Sequence, residues 1–285
     1  MTTFTKQVSK HGVRQYITPG DNTVSRNAFG TGGEGVPGVI VPGAHNTVAF
    51  FDDFLGDLLR DEWAVVTGDT GTVSTRALTT ASGGVFRILN ENTPLALNGE
   101  NHALTMGLFK NWKANAAPNG RDGRLRMSAR VKMESVATDK RMNVFIGFSD
   151  SGGAEMPAYD TGGGVISNAA DVVGFLFGAG GTTTAWQLVS AKSTAGDSGD
   201  QLVASGVSPA DNVWQTFEVE IAANPGDTGG QAHFWINGIK RGVINSPIGS
   251  AIALTPWIGM FQQDTGQRFL DVDYVNLSQL RDTGF

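Results

Sequence analysis

The 285-residue chain contains no cysteine. That excludes a disulfide scaffold and any zinc or iron–sulfur site built on thiolates. Its four histidines, His11, His45, His102 and His233, stand far apart, with neither H-x-H nor H-E-x-x-H spacing, so no local zinc-binding pattern is encoded. No run of about 18 apolar residues occurs, which excludes a membrane-spanning helix. Met1 to Tyr16 lack the continuous apolar stretch of a secretory signal, so the chain is expected to be made and folded in a host cytoplasm. Charged residues make up 17% of the chain, against about 25% in an average globular protein. The net charge of −6 argues against nucleic acid as the main partner.

What is present in excess is glycine, with 39 residues, about twice the usual share. Glycine at that level without a fixed period marks many tight turns. Residues 1–47 are its extreme case. They contain Thr18-Pro19-Gly20-Asp21-Asn22, Gly30-Thr31-Gly32-Gly33-Glu34-Gly35-Val36-Pro37-Gly38 and Val41-Pro42-Gly43, and no sustained period of 2 or 3.6. Such a segment blocks helices and sheet interiors and has little core of its own, so it is expected to be an extended N-terminal arm. The Gly30–Gly35 stretch also matches the dinucleotide fingerprint G-x-G-x-x-G. Val36-Pro37-Gly38 follows, where the fingerprint requires a helix, so the match is rejected.

From residue 48 onward the texture changes to alternation. In Arg124-Leu125-Arg126-Met127-Ser128-Ala129-Arg130-Val131-Lys132-Met133 the odd positions are apolar and the even ones polar, the period of a half-buried strand. Phe217 to Ile221, Met142 to Phe148, and Leu270, Val272 and Tyr274 repeat the signal. Further strands are expected near 48–54, 62–67, 72–79, 84–89, 102–108, 171–178, 184–191, 231–244 and 253–262, with a short helix at Leu55 to Glu62. Turn residues separate them, among them Asn224-Pro225-Gly226-Asp227 and Asn237-Gly238. About a dozen strands with almost no helical period predict an all-β sandwich or barrel over residues 48–285.

Three segments carry a family resemblance. Phe50-Phe51-Asp52-Asp53-Phe54 with Trp63 opens the domain. Val213-Trp214-Gln215-Thr216-Phe217-Glu218-Val219-Glu220-Ile221 leads through a Pro-Gly turn to His233-Phe234-Trp235-Ile236-Asn237-Gly238. Leu270-Asp271-Val272-Asp273-Tyr274-Val275-Asn276-Leu277 closes it. This order resembles the concanavalin A-like lectin/glucanase jelly roll, in its laminin-G-like and glucanase-like versions. The Cys-free jelly roll behind a Gly/Pro-rich arm also resembles, in style, capsid decoration and fibre proteins of tailed bacteriophages.

The resemblance implies where enzyme chemistry would lie. Glucanases of this fold carry E-x-D-x-E or E-x-D-x-x-E on one strand, because glycoside hydrolysis needs a proton donor and a second carboxylate at fixed separation. Glu218 and Glu220 share a face without a third acid, as do Asp271 and Asp273. Both pairs read as solvent faces of strands, and no G-x-S-x-G elbow supports a serine nucleophile. The chain is therefore expected not to be an enzyme, and to need no cofactor. Calcium occurs in lectins of this fold, but Asp150-Ser151-Gly152-Gly153 with Asp160, and Asp197-Ser198-Gly199-Asp200, read as polar turns rather than metal loops.

Three groups of residues remain as binding candidates. In the arm, Val13, Tyr16, Ile17, Phe29, Val39, Ile40 and Val41 supply apolar anchors for assembly. Between Lys110 and Arg141 nine basic residues face three acids, and Arg124, Arg126, Arg130 and Lys132 form a candidate partner-facing stripe on one strand face. The plainer reading of that stripe is a solvated strand face. Trp235, with His233 and Asn237, is a candidate glycan-stacking group, and Trp112 and Trp186 are further aromatic candidates. The sequence-level expectation is a virion structural protein, a capsid decoration or cement protein, localised to the virion. It would contact copies of itself and a major capsid or other virion protein, without nucleic acid or membrane as partner. A carbohydrate-binding module recognising a host-surface glycan, on a tail or head fibre, stays open beside it, as does a glycan hydrolase with unusual acids.

Overall fold

A computed structural model of the chain describes residues 47–54, 59–66, 84–90, 101–106, 112–113, 124–133, 142–152, 156–160, 165–167, 169–178, 185–192, 201–222, 230–248, 252–262 and 268–280. The chain divides into two units, Met1–Asn46 and Thr47–Phe285, and all described residues belong to the second. Thr47, expected to end the arm, instead opens the first strand of this unit; the rest of the expected arm and all seven of its anchor residues lie outside the described residues.

The described residues form strands. In chain order these are Thr47–Asp52 (β1), Ala64–Val66 (β2), Phe86–Asn90 (β3), Asn101–Thr105 (β4), Trp112–Lys113 (β5), Leu125–Met133 (β6), Met142–Ser149 (β7), Ala158–Asp160 (β8) and Val165–Ser167 (β9). Asp171–Phe177 (β10), Gln187–Lys192 (β11), Gln201–Ala204 (β12), Gln215–Ala222 (β13), Gln231–Ile236 (β14), Ile239–Asn245 (β15), Ala253–Gln262 (β16) and Arg268–Leu280 (β17) follow. A seven-stranded sheet runs β1-β17-β6-β13-β14-β15, with β3 also on β17. An eight-stranded sheet runs β12-β11-β10-β7-β16-β4-β2, with β5 also on β16. Every strand pair is antiparallel, and the two sheets pack face to face as a jelly-roll β-sandwich.

The seven-stranded sheet obeys the alternation that its sequence displays. In β6 and β13 burial alternates along the whole strand. Leu125, Met127, Ala129 and Val131 point inward with Phe217, Val219 and Ile221. Across the core, Phe217 meets Phe175 at 5.1 Å and Trp186 at 4.5 Å between ring centroids, in edge-to-face arrangements. The central strands of the eight-stranded sheet do not alternate, because β7, β10 and β11 are buried on both faces. Met142, Val144, Ile146 and Phe148 of β7 enter the central core. Phe145 enters a second apolar layer with Val172, Leu176, Val189, Trp257 and Phe261. The β8–β9 hairpin supplies Met156 and Ala158 to that layer and packs on β7 and β10. Gly147 and Gly174 face each other within the sheet. A Cβ on Gly147 would lie 2.6 Å from the Gly174 Cα and overlap the Val173 carbonyl, so close packing at this point requires glycine.

The first family segment is a closing device. Asp52 is buried; its Oδ2 accepts the Trp63 indole N–H at 2.8 Å and its Oδ1 accepts the Phe54 backbone N–H at 2.9 Å. Phe54 sits at φ 54°, a left-handed conformation that this carboxylate bond supports. The strap carries Phe50, Phe54 and Trp63 against the core edge, where their rings touch.

Several expectations are corrected. Residues 59–62, placed in a short helix, form a turn in which the Trp63 N–H donates to the Arg60 carbonyl. The rest of that helix and the strand expected at 72–79 lie outside the described residues. Tyr274 does not share a face with Leu270 and Val272. A β-bulge between Val272 and Tyr274 reverses the alternation, so Val275 and Leu277 point inward while Tyr274 points out. β5, β8, β9 and β12 were not expected. Their two to four residues are too short for a period, and β12 is exposed on both faces.

Candidate functional site: the outer face of the seven-stranded sheet

The polar positions of β6, β13 and β17 lie on one outer face, and the register sets opposite charges side by side. Arg126 Nη2 lies 2.6 Å from Glu218 Oε2 and Arg124 Nη1 3.6 Å from Glu220 Oε1 across the β6–β13 pairing. On the other side, Arg130 Nη1 lies 2.8 Å from Asp273 Oδ2 and Lys132 Nζ 3.1 Å from Asp271 Oδ2. Asp271 is 2% exposed and also accepts two hydrogen bonds from Arg87 of β3, from Nε at 2.6 Å and Nη2 at 2.9 Å. The four basic residues singled out in the sequence therefore do share a face. Each is matched there by an acid from a neighbouring strand, so the stripe is a ladder of both signs. The acids of the ladder are the two pairs considered and rejected as catalytic groups. Cross-strand pairs of this kind contribute roughly 0.2–1 kcal/mol each.

Aromatic rings flank the ladder. Trp214, half-buried just before β13, lies under the Arg130 guanidinium at 5.1 Å and the Lys132 ammonium at 5.0 Å. Phe269 lies under Arg87 at 3.7 Å, and Tyr274 packs against Phe51. At the far side, Trp235 of β14 is half-buried and faces outward, with the Lys240 ammonium 5.9 Å from its ring and His233 beside it at 5.9 Å. His233 contacts Lys240 Nζ through Nδ1 and Gln231 Oε1 through Nε2, both at 3.3 Å. Burial, then the Lys240 charge, holds its imidazole below the ordinary value of 6.5. Burial pushes Glu218 above the ordinary carboxylate range, although its contact with Arg126 pulls the other way.

Asn237 does not join Trp235 and His233. It is the first residue of the β14–β15 turn, at φ 52° with Gly238 at 73°. Its Oδ1 accepts the Thr216 N–H at 2.8 Å and its own N–H donates to the Thr216 carbonyl at 2.8 Å, so its polar groups serve the hairpin. Trp112 and Trp186 are buried, with their indole N–H groups directed to Met106 Sδ and Gln215 Oε1, and neither presents a ring for stacking. Trp214 was overlooked as an outward ring. The signal was in the sequence, because 214 has the same parity as Glu218 and Glu220 on one strand.

Among the described residues no group of three or more His, Asp or Glu side chains is placed to hold a metal ion. Asp150, considered for calcium, joins the end of β7 to the start of β10: its Oδ1 accepts the Asp171 N–H at 3.1 Å and its own N–H donates to the Asp171 carbonyl at 2.9 Å. Residues 197–200 lie outside the described residues.

No protein-family model matches this chain, and no curated protein sequence is significantly similar to it. Similarity appears among solved structures. A glycoside hydrolase family 16 endo-glucanase from Bacteroides ovatus has a TM-score of 0.51 at 11% identity, covering 80% of this chain and 99% of that one. An endo-1,3-beta-glucanase from Streptomyces sioyaensis has a TM-score of 0.49 at 13% identity, over 83% and 97%. Peanut lectin has a TM-score of 0.44 at 8% identity, over 82% and 97%. At 11% identity the likeness to the endo-glucanase is one of fold alone.

Proposed function

We propose that the chain is a binding and assembly protein without catalytic activity: a structural protein of a tailed-phage virion, decorating or cementing the capsid and anchored by residues 1–46. The observation that carries the non-catalytic reading is the state of its acids. The described acids in i, i+2 pairs on one strand face, Glu218 with Glu220 and Asp271 with Asp273, are each held by an Arg or Lys at 2.6–3.6 Å. A glycosidase needs one protonated carboxyl and one free carboxylate converging on a sugar. The assembly reading is supported by the Gly/Pro-rich first unit, whose Val39-Ile40-Val41 and Tyr16-Ile17 can bury apolar surface on a partner. The test is decoration of particles of the phage that encodes the chain. Full-length protein attaches, and a chain beginning at Thr47 folds but does not attach. Full decoration by the truncated chain would reject the anchoring role.

A second reading is favoured by one observation, the outward rings of Trp214 and Trp235 beside polar side chains. It makes the sheet face a carbohydrate-binding surface for a host glycan. It predicts that Trp235→Ala lowers binding on a glycan array at least tenfold with an unchanged circular dichroism spectrum. A wild-type array without signal would dispose of it.

A further inference from the structure

The charges of the outer face are matched over most of its width. On β6 each of Arg124, Arg126, Arg130 and Lys132 meets a carboxylate from a neighbouring strand. The β14–β15 hairpin at the end of the sheet departs from this rule. Among the described residues no acid pairs with Lys240 or Arg241. The carboxylates that β13 sets opposite β14, Glu218 across from Trp235 and Glu220 across from His233, are held by Arg126 and Arg124. A β-bulge brings the two cations together. Trp235 pairs with Lys240 and Phe234 with Gly242, so Arg241 is the inserted residue and stands next to Lys240 at the rim of the face. Arg241 Nε is enclosed and has no hydrogen-bond partner. A buried guanidinium N–H without an acceptor is costly, and an anion at this rim would satisfy it.

Lys240 is held in position by a directed chain of hydrogen bonds. An ammonium group can only donate, so Lys240 Nζ donates to His233 Nδ1 at 3.3 Å. The imidazole hydrogen then sits on Nε2, which donates to Gln231 Oε1 at 3.3 Å. Gln231 Nε2 donates in turn to Asn245 Oδ1 at 2.9 Å. The chain requires a neutral imidazole, in keeping with the lowered value of His233. It sets the ammonium beside the Trp235 ring, 5.9 Å from its centroid, before any ligand arrives.

We infer that this corner is a subsite for a sugar that carries a carboxylate, a uronic-acid unit of an acidic glycan. The sugar ring lies on Trp235, and its carboxylate is taken by Lys240 and Arg241. The inference rests on the carbohydrate reading of the sheet face and gives that reading a substrate class. Two neighbouring cations without acids select an anion, and the guanidinium fork matches a carboxylate. The half-buried ring beside them selects a flat apolar partner such as the face of a sugar. An acidic peptide added as a further strand fits less well, because the bulge interrupts the regular pattern of N–H and C=O groups along β15.

The test is an array of uronate oligosaccharides, each printed beside its carboxyl-reduced neutral form, read with the full-length chain. The wild type should bind at least one acidic oligosaccharide tenfold or more above its reduced form. Arg241→Gln and Lys240→Gln should each lower that signal at least fivefold with an unchanged circular dichroism spectrum, and Lys192→Gln, on β11 of the other sheet, should leave it as it is. Equal binding of acidic and reduced forms, or full acidic binding by both variants, overturns the inference and leaves the carbohydrate reading standing. An array without any signal removes both. If Arg241→Gln misfolds, Lys240→Gln, at an exposed position, decides alone. Displacement of the bound oligosaccharide by an equal concentration of oligoglutamate would make the ligand an acidic peptide and overturn the sugar assignment.

Discussion

Asp52 shows how one polar side chain sets the geometry of a fold corner. It satisfies two buried donors, the Trp63 indole and the Phe54 amide. Asp52→Ala leaves both unpaired and should cost about 1–3 kcal/mol in urea unfolding. Asn237 is a second case. Its left-handed backbone and its bond to Thr216 make it a turn residue, so Asn237→Ala should cost about 1–2 kcal/mol. A loss of binding without loss of stability would instead assign it to a ligand. His233 gives a pH signature. Its folded-state value lies below the ordinary 6.5, so on acidification the unfolded chain takes up the proton first. Stability should then fall as pH drops through 6.5 towards the lowered value. Glu218 acts in the opposite sense, because its raised value lets the folded chain bind a proton first, adding stability as pH falls towards 4.5. In His233→Gln the first loss should shrink while the second gain stays; an unchanged urea midpoint profile between pH 7 and pH 5 would contradict this assignment.

At the scale of the element, legibility in the sequence followed burial. β6 and β13 are half-buried, so their alternation showed both their existence and their outer faces. β7 and β10 are buried on both faces; Met142, Val144, Ile146 and Phe148, which the sequence sets on one face, do meet the central core, but the second layer that covers Phe145 had no signal in the period. The bulge at Asp273 was invisible because one inserted residue leaves composition unchanged while reversing every later side chain. The basic stripe was readable on its own strand, but its acids sit some 90 and 140 positions away, so only the register of the sheet could reveal the ladder. Two predictions belong here. Gly147→Ala forces its methyl into the β7–β10 backbone and should cost about 1–3 kcal/mol or more in urea unfolding. Phe217→Ala removes the ring on which Phe175 and Trp186 converge and should cost about 3–5 kcal/mol.

At the scale of the whole molecule, the second unit is a sandwich whose polar chemistry is turned to holding its own outer face together. Charges that look free in the sequence are spent on cross-strand contacts, and aromatic rings lie beneath cations along the same face. Among the described residues, the half-buried rings of Trp214 and Trp235 lie on the flanks of that face. The central claim is that attachment and assembly reside in residues 1–46, while Thr47–Phe285 folds without them. The structure places the cut after Asn46, because Thr47 already pairs with Leu280 in β1 and β17. The direct measurement is light scattering on the full-length chain and on the chain beginning at Thr47, with circular dichroism on both. The account predicts a defined full-length oligomer, and a truncated chain that keeps its β spectrum and falls to fewer copies. Equal copy numbers for the two chains, or a truncated chain without β structure, would contradict it.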